Sequence, residues 1–217
     1  MTLLHVANPN STAAMTAQIE RAARAVAAPG TVIRATTAKG TPVSIEGHAD
    51  EALAVPAMLD QIRAADAEGA AAHIIACFDD CGLWAAREVA AAPVLGICEA
   101  AVRVASMLAK RFSIVTTLPR SVPIIEDLVD LYGAARQCPK VRAVALPVLA
   151  LDAEAIVLGC AGMAEMAEWL SGELNAPVID GVAAAVKLGE ALAGLGARTS
   201  KIGALDYPRD KVLAEAR

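Results

Sequence analysis

The chain has 217 residues, enough for one or two compact domains with a sizeable core. Hydrophobic residues make up 56% but aromatic ones only 3%, so the apolar surplus is mostly alanine for packing helices, and no run reaches the ~18 apolar residues of a membrane-spanning helix. A net charge of −5 argues against nucleic acid or an anionic membrane as partner, and five irregularly spaced cysteines argue against a disulfide framework.

Short apolar runs alternate with alanine-rich amphipathic stretches, the pattern of βα units around a parallel sheet. The first predicted strand, 3–7, runs into NPNST and then a helix at 11–27. Asn8 and Asn10 suit a turn and offer amides, while Ser11 or Thr12 can cap the helix. The amides of a helix amino terminus favour an anionic or carbonyl-rich ligand, so Asn8 and Ser11 are candidate substrate contacts; a well-capped turn explains the same residues. A strand at 32–36 precedes IEGHAD, which places His48 in a loop, and a helix at 50–66. The strand at 73–77 ends on Cys77, followed by Phe78, Asp79, Asp80 and Cys81, a helix at 83–90, a strand at 94–97 and a helix at 100–109. His5 and His73 fall inside strands as structural histidines, and no histidine pair has metal-ligand spacing, so no metal is expected.

The second half opens with a strand at 112–116 running into TTLPRS, a helix at 122–132 and a strand at 141–145. A strand at 155–159 then ends on Cys160, and a helix at 163–172, a strand at 178–179 and a helix at 182–195 follow. LLHVANPNST resembles FSIVTTLPRS, HIIACFDDCGL resembles AIVLGCAGM, and PVLGI resembles PVIDG. The fold class is therefore α/β, with two pseudo-symmetric lobes, each a mostly parallel sheet flanked by helices, and an active cleft between the carboxyl ends of their strands. Residues 1–97, completed by 198–217, form the first lobe and 98–197 the second. The halves differ in one place. Parallel strands need a crossover of about a dozen residues, and between Pro147 and Glu154 there is no room for one. A crossover helix is missing near 150–154, either lost or omitted from the continuous numbering, and the intact flanking motifs favour omission.

Cys77 and Cys160 stand at equivalent strand ends, so two thiols face one cleft. Such a pair suits racemisation beside a carbonyl: one thiolate removes a proton, the other thiol returns one to the opposite face. The helix after Cys77 is expected to favour its thiolate, with Asp79 and Asp80 opposing unless they act as caps. Cys81 makes a CxxxC pattern with Cys77, so a redox pair is conceivable, whereas Cys98 and Cys138 read as buried. Gly159, Ala161 and Gly162 flank Cys160 with small residues whose amides can approach an enolate oxygen, and Thr116 and Thr117 add hydroxyls where Asn8 stands in the first half. Arg120 and the Lys187–Glu190 pair read as solvated.

NPNST, SIEGH, CFDDCGL, GICEA, VTTLPRSVP, VLGCAGM and PVIDGV together resemble the hydantoin racemase branch of the aspartate/glutamate racemase superfamily, which includes allantoin racemase. The resemblance covers nearly the whole chain and implies two α/β lobes, no cofactor, a homo-oligomer and catalytic roles for Cys77 and Cys160, while the irregular cysteines point to reduced thiols and a cytoplasmic location. It places recognition of a small hydantoin or ureide at Asn8, around Ser44 and Ile45, at Phe78 and Asp79, at Thr116 and Thr117, and at Ala161, Gly162 and Met163. The alternatives are racemisation of an acidic amino acid, for which a TxxH-type partner is absent beside Cys160, a one-thiol decarboxylase, and a non-catalytic redox or small-molecule-binding protein using Cys77 and Cys81.

Overall fold

The computed structural model describes residues 1–143 and 153–211. The first half builds β1 (Thr2–Asn8), α1 (Ala13–Val26), β2 (Thr31–Thr37), α2 (His48–Ala67), β3 (Ala72–Ile75), α3 (Leu83–Val89) and β4 (Val94–Gly96). The second half builds α4 (Ile97–Leu108), β5 (Phe112–Thr116), α5 (Ser121–Leu131), β6 (Lys140–Ala143), β7 (Ala155–Leu158), α6 (Ala167–Leu174), β8 (Val178–Asp180) and α7 (Gly181–Gly194). All strand pairs are parallel, in the orders β2-β1-β3-β4 and β6-β5-β7-β8, so the internal repeat of the sequence is a repeat of topology. The inner strands β3 and β7 are buried along their whole length, as strands covered by helices on both faces must be. The connection from β6 to β7, where the crossover helix is expected, falls on 144–152, outside the described residues.

Chain order and packing order part company at two helices. α4 follows β4 of the first sheet yet packs on β7 and β8, while α7 follows β8 of the second sheet yet packs on β1, β3 and α1. The two helices also lie against each other, so one apolar core, including Leu4, Ile74, Ile97, Phe112, Ile114 and Val186, runs through both lobes. Where their first turns meet, Gly181 faces the carbonyl of Ile97; a Cβ there would lie 2.7 Å from that oxygen, so glycine is required. After α7, Thr199 bonds to the Ala91 and Ala92 carbonyls and Lys201 to those of Arg87 and Glu88, laying this segment along α3.

Several expected boundaries move, each for a local reason. β3 ends at Ile75, and the Ala76 amide makes a last bond to the Ala7 carbonyl, so Cys77 lies in the following turn. α1 begins at Ala13 because neither expected cap acts on it: Ser11 Oγ donates to the Thr41 carbonyl (2.9 Å) and Thr12 Oγ1 to the Val43 carbonyl (2.7 Å). These bonds clamp the loop after β2 onto the first turn. His48 opens α2 instead of lying in a loop, 3.6 Å from Glu51. The helix expected at 163–172 divides into a 3-10 turn, Ala161–Met166, and α6.

His5 and His73 are structural, as their burial in strands suggests. His73 Nε2 lies 3.1 Å from Asp66 Oδ1, the two Nδ1 atoms are 3.1 Å apart, and His5 Nε2 lies 2.8 Å from Thr36 Oγ1. Burial lowers the pKa of both rings, His5 to about 3. Both are thus neutral, and a chain of donors running from Thr36 to the Asp66 carboxylate satisfies every ring nitrogen.

Candidate active site

The carboxyl ends of β1, β3, β5 and β7 open onto a cleft of about 250 Å³. Cys77 and Phe78 enter it from the turn after β3, and Cys160 and Ala161 from the turn after β7. Thr116 and Thr117 come from the end of β5, Ser44 and Ile45 from the loop before α2, and Asp79 from the Cys77 turn.

Backbone bonds define both thiol turns. The Asp80 amide donates to the Cys77 carbonyl (3.1 Å) and the Leu83 amide to the Asp80 carbonyl (3.1 Å), with Asp80 and Gly82 in left-handed conformation. Across the cleft, the Met163 amide donates to the Cys160 carbonyl (3.0 Å), and Thr116 Oγ1 donates to the Gly159 carbonyl (3.0 Å). The Gln18 side chain of α1 reaches over to the Gly162 carbonyl (2.9 Å), bracing the second turn from the first lobe.

The electrostatics of the two thiols differ. Cys77 is held well above its ordinary pKa, first by a hydrogen bond to Cys81, then by burial and by the charge of Asp79. The expected help from the following helix is corrected, because α3 begins only at Leu83 and the amide favouring the Cys77 thiolate is that of Asp79. Burial also raises Cys160, but the Gly162 amide and the Thr117 hydroxyl favour its thiolate. Cys160 feels Cys77 directly, each charge disfavouring the other. Loss of one proton is therefore easier than loss of two, so a thiolate formed on one side of the cleft would face a thiol on the other.

The adjacent aspartates do different work. Asp79 lines the cleft, and burial, reinforced by Glu51 and opposed by His48, lifts its pKa to about 6. Asp80 turns away and caps a helix, though α4 and not the adjacent α3: it accepts from the Cys98 (3.0 Å) and Glu99 (2.8 Å) amides and from the Tyr132 hydroxyl (2.6 Å).

Of the residues expected to contact substrate, Ser44, Ile45, Phe78, Asp79, Thr116, Thr117 and Ala161 line the cleft with Cys77 and Cys160. Asn8, Ser11, Gly162 and Met163 do not line it. The Asn8 amide donates to Asn10 Oδ1 and Thr16 Oγ1 (both 2.9 Å), closing its own turn, and Ser11 holds the Thr41 carbonyl. Gly162 directs its amide at the Cys160 sulfur, and Met163 is buried below. Asn10, Met15, Glu46, Leu118 and Ser121 line the cleft without having been singled out as contacts. Glu46 accepts from Ser44 Oγ (2.8 Å), and its place in SIEGH beside two expected contacts was a usable signal. Met15 and Leu118 carried none. Among the described residues, no cluster of three or more His, Cys, Asp or Glu is arranged to hold a metal, and no helix is long and apolar enough to cross a membrane.

Two parallel-sheet lobes that share a cleft define a class of α/β protein, and known proteins of that class are similar to this chain. The Asp/Glu/hydantoin racemase family model matches residues 4–152 and 144–189, two stretches that overlap at the connection from β6 to β7. The chain is 54% identical to a hydantoin racemase of Rhizobium meliloti, over 97% of each protein. That alignment spans 233 positions, more than the 217 residues of the chain, so the relative holds residues with no counterpart here. A structure of an allantoin racemase from Klebsiella pneumoniae superposes with a TM-score of 0.93 at 49% identity, covering 99% of this chain and 96% of that one. One from Pseudomonas fluorescens gives 0.91 at 37%, covering 98% and 100%. The chain belongs to the Asp/Glu/hydantoin racemase family and is a racemase, an isomerase.

Proposed function

We propose that the protein racemises a 5-substituted hydantoin or allantoin by passing protons through Cys77 and Cys160. The observation that carries this reading is the pair of thiols at equivalent turns of one cleft. One thiolate takes the proton from the carbon beside the carbonyl, the electron pair moves into the carbonyl as an enolate, and the opposite thiol protonates the other face. The thiols exchange states, and the reverse reaction starts from the exchanged state. Both proton transfers use the chain's own groups, so the scheme calls on no cofactor. The Thr117 hydroxyl and Gly162 amide favour the Cys160 thiolate, and removal of Cys81 contact or Asp79 charge would favour that of Cys77. The names of the most similar relatives support a cyclic ureide as substrate. The same reading takes 1–97 with 198–217 as one lobe and 98–197 as the other, in a cytoplasmic homo-oligomer.

The test follows one enantiomer of a substituted hydantoin, then the other, in deuterated water, recording optical rotation and deuterium uptake together. Cys77→Ser and Cys160→Ser should each abolish racemisation, and each should retain exchange of the enantiomer served by the surviving thiol. Full racemisation by either variant would sink the two-thiol scheme.

A further inference from the structure

The internal repeat equates Gly96, at the end of β4, with Asp180, at the end of β8. In the second half the cap is local: Asp180 accepts from the Val182 (3.1 Å) and Ala183 (2.9 Å) amides of α7. In the first half the corresponding position is glycine, and the α4 cap comes from Asp80, which lies in the Cys77 turn. A side chain at Gly96 would collide with the Asp80 carboxyl. Capping alone does not call for this arrangement, since a residue of the Asp180 kind would serve α4 equally well.

What the long-range cap adds is a tie to the thiol loop. Asp80 closes the Cys77 turn with its backbone amide, holds a left-handed φ of 46°, and is only 5% exposed. Its carboxyl also binds the hydroxyl of Tyr132, the residue that ends α5 in the second lobe. Tyr132 is gripped from its other side, where Arg103 Nη1 donates to its carbonyl (2.9 Å). One buried carboxyl thus joins the Cys77 turn, the start of α4 and the end of α5. Among the described residues no buried carboxyl makes an equivalent tie to the Cys160 turn, which the Gln18 side chain braces.

We propose that Asp80 is a positioning residue that, through Tyr132 and the first turn of α4, sets where Cys77 stands across the cleft from Cys160. This rests on the two-thiol reading above. The predicted signature is one-sided: loosening the tie impairs proton transfer at Cys77 and leaves transfer at Cys160 intact.

The experiment measures deuterium exchange of each enantiomer in full-length Tyr132→Phe, Asp80→Asn and Asp80→Ala, with Cys77→Ser and Cys160→Ser identifying which enantiomer each thiol deprotonates. Tyr132→Phe keeps the buried ring and removes one donor. Its racemisation kcat should fall about tenfold with KM within about twofold, since small displacements of a reacting group cost rate more than binding. Exchange of the enantiomer assigned to Cys77 should fall with it, and exchange of the other should stay within about twofold of the parent. Asp80→Ala should be worse and Asp80→Asn should recover part of the loss, because an amide oxygen still accepts from α4; should Asp80→Ala fail to fold, Tyr132→Phe decides. Equal loss of exchange on both enantiomers, or none in a folded Tyr132→Phe, overturns the positioning role while leaving the two-thiol scheme standing. Racemisation by Cys77→Ser overturns both.

Discussion

Replacing Asp79 by asparagine should stabilise the folded chain, but only above mildly acidic pH. Burial in the cleft wall, with repulsion from Glu51 and partial relief from His48, raises the Asp79 pKa from 3.8 to about 6. Between those values the unfolded chain has released a proton that the folded chain still binds. The Asp79 contribution to the parent's stability therefore falls as pH rises through this window, and that loss is complete above about pH 6. A rise of about two in pKa corresponds to roughly 3 kcal/mol. Asparagine cannot ionise, so the variant escapes this loss. The assay is urea unfolding followed by circular dichroism at several values from pH 3.5 to 7.5. Parent and variant should match at the acid end and diverge to ~3 kcal/mol at pH 7.5, a midpoint shift of roughly 1 M or more for ordinary urea slopes. Asp80, buried and raised to about 7, gives both proteins the same further pH dependence and cancels in the difference. The buried histidines, with lowered pKa values, make both proteins more stable as pH rises over the same range and so cancel in the difference. A variant advantage that is constant across pH would refute the reasoning.

Three further outcomes follow from contacts in and beside the cleft. Cys81→Ala removes the hydrogen bond that does most to keep Cys77 protonated, so alkylation of Cys77, resolved by peptide mass, should begin at lower pH; an unchanged profile would deny that contact its role. Thr117→Val removes a hydroxyl that favours the Cys160 thiolate, and alkylation of Cys160 should move to higher pH while that of Cys77 stays in place. Gly96→Ala forces a methyl group into the Asp80 carboxyl and should cost about 1–3 kcal/mol or more in thermal unfolding, whereas wild-type stability would mean the carboxyl can move aside.

The repeat was legible because it is written in short contiguous strings. NPNST with TTLPRS, and the two cysteine motifs, gave the two lobes and a common cleft for both thiols, while the matching strand orders come from the structure. What escaped was decided by distant partners. Asn8 reads as a ligand amide, yet Asn10 and Thr16 consume its donors; Ser11 reads as a cap, yet its hydroxyl is spent on a loop carbonyl from beyond β2. Asp80 reads as a local helix cap, and the helix it caps is one removed in the chain because Gly96 leaves a vacancy there. Local spacing shows which groups are available, while the fold determines who uses them. The exchange of α4 and α7 was hidden for the same reason: an alanine-rich helix packs equally well on either sheet, and nothing in its own pattern names the partner.

That exchange has a consequence for how the molecule is made. The first sheet is written by residue 96, but the helix that covers its inner strands ends only at Gly194. During synthesis the amino-terminal half emerges with an apolar sheet face still bare, and it stays so until nearly the whole chain has left the ribosome. Neither half can complete its core ahead of the other, so folding should be a single late event, and nascent chains cut short between the two halves should be targets for chaperones and proteases.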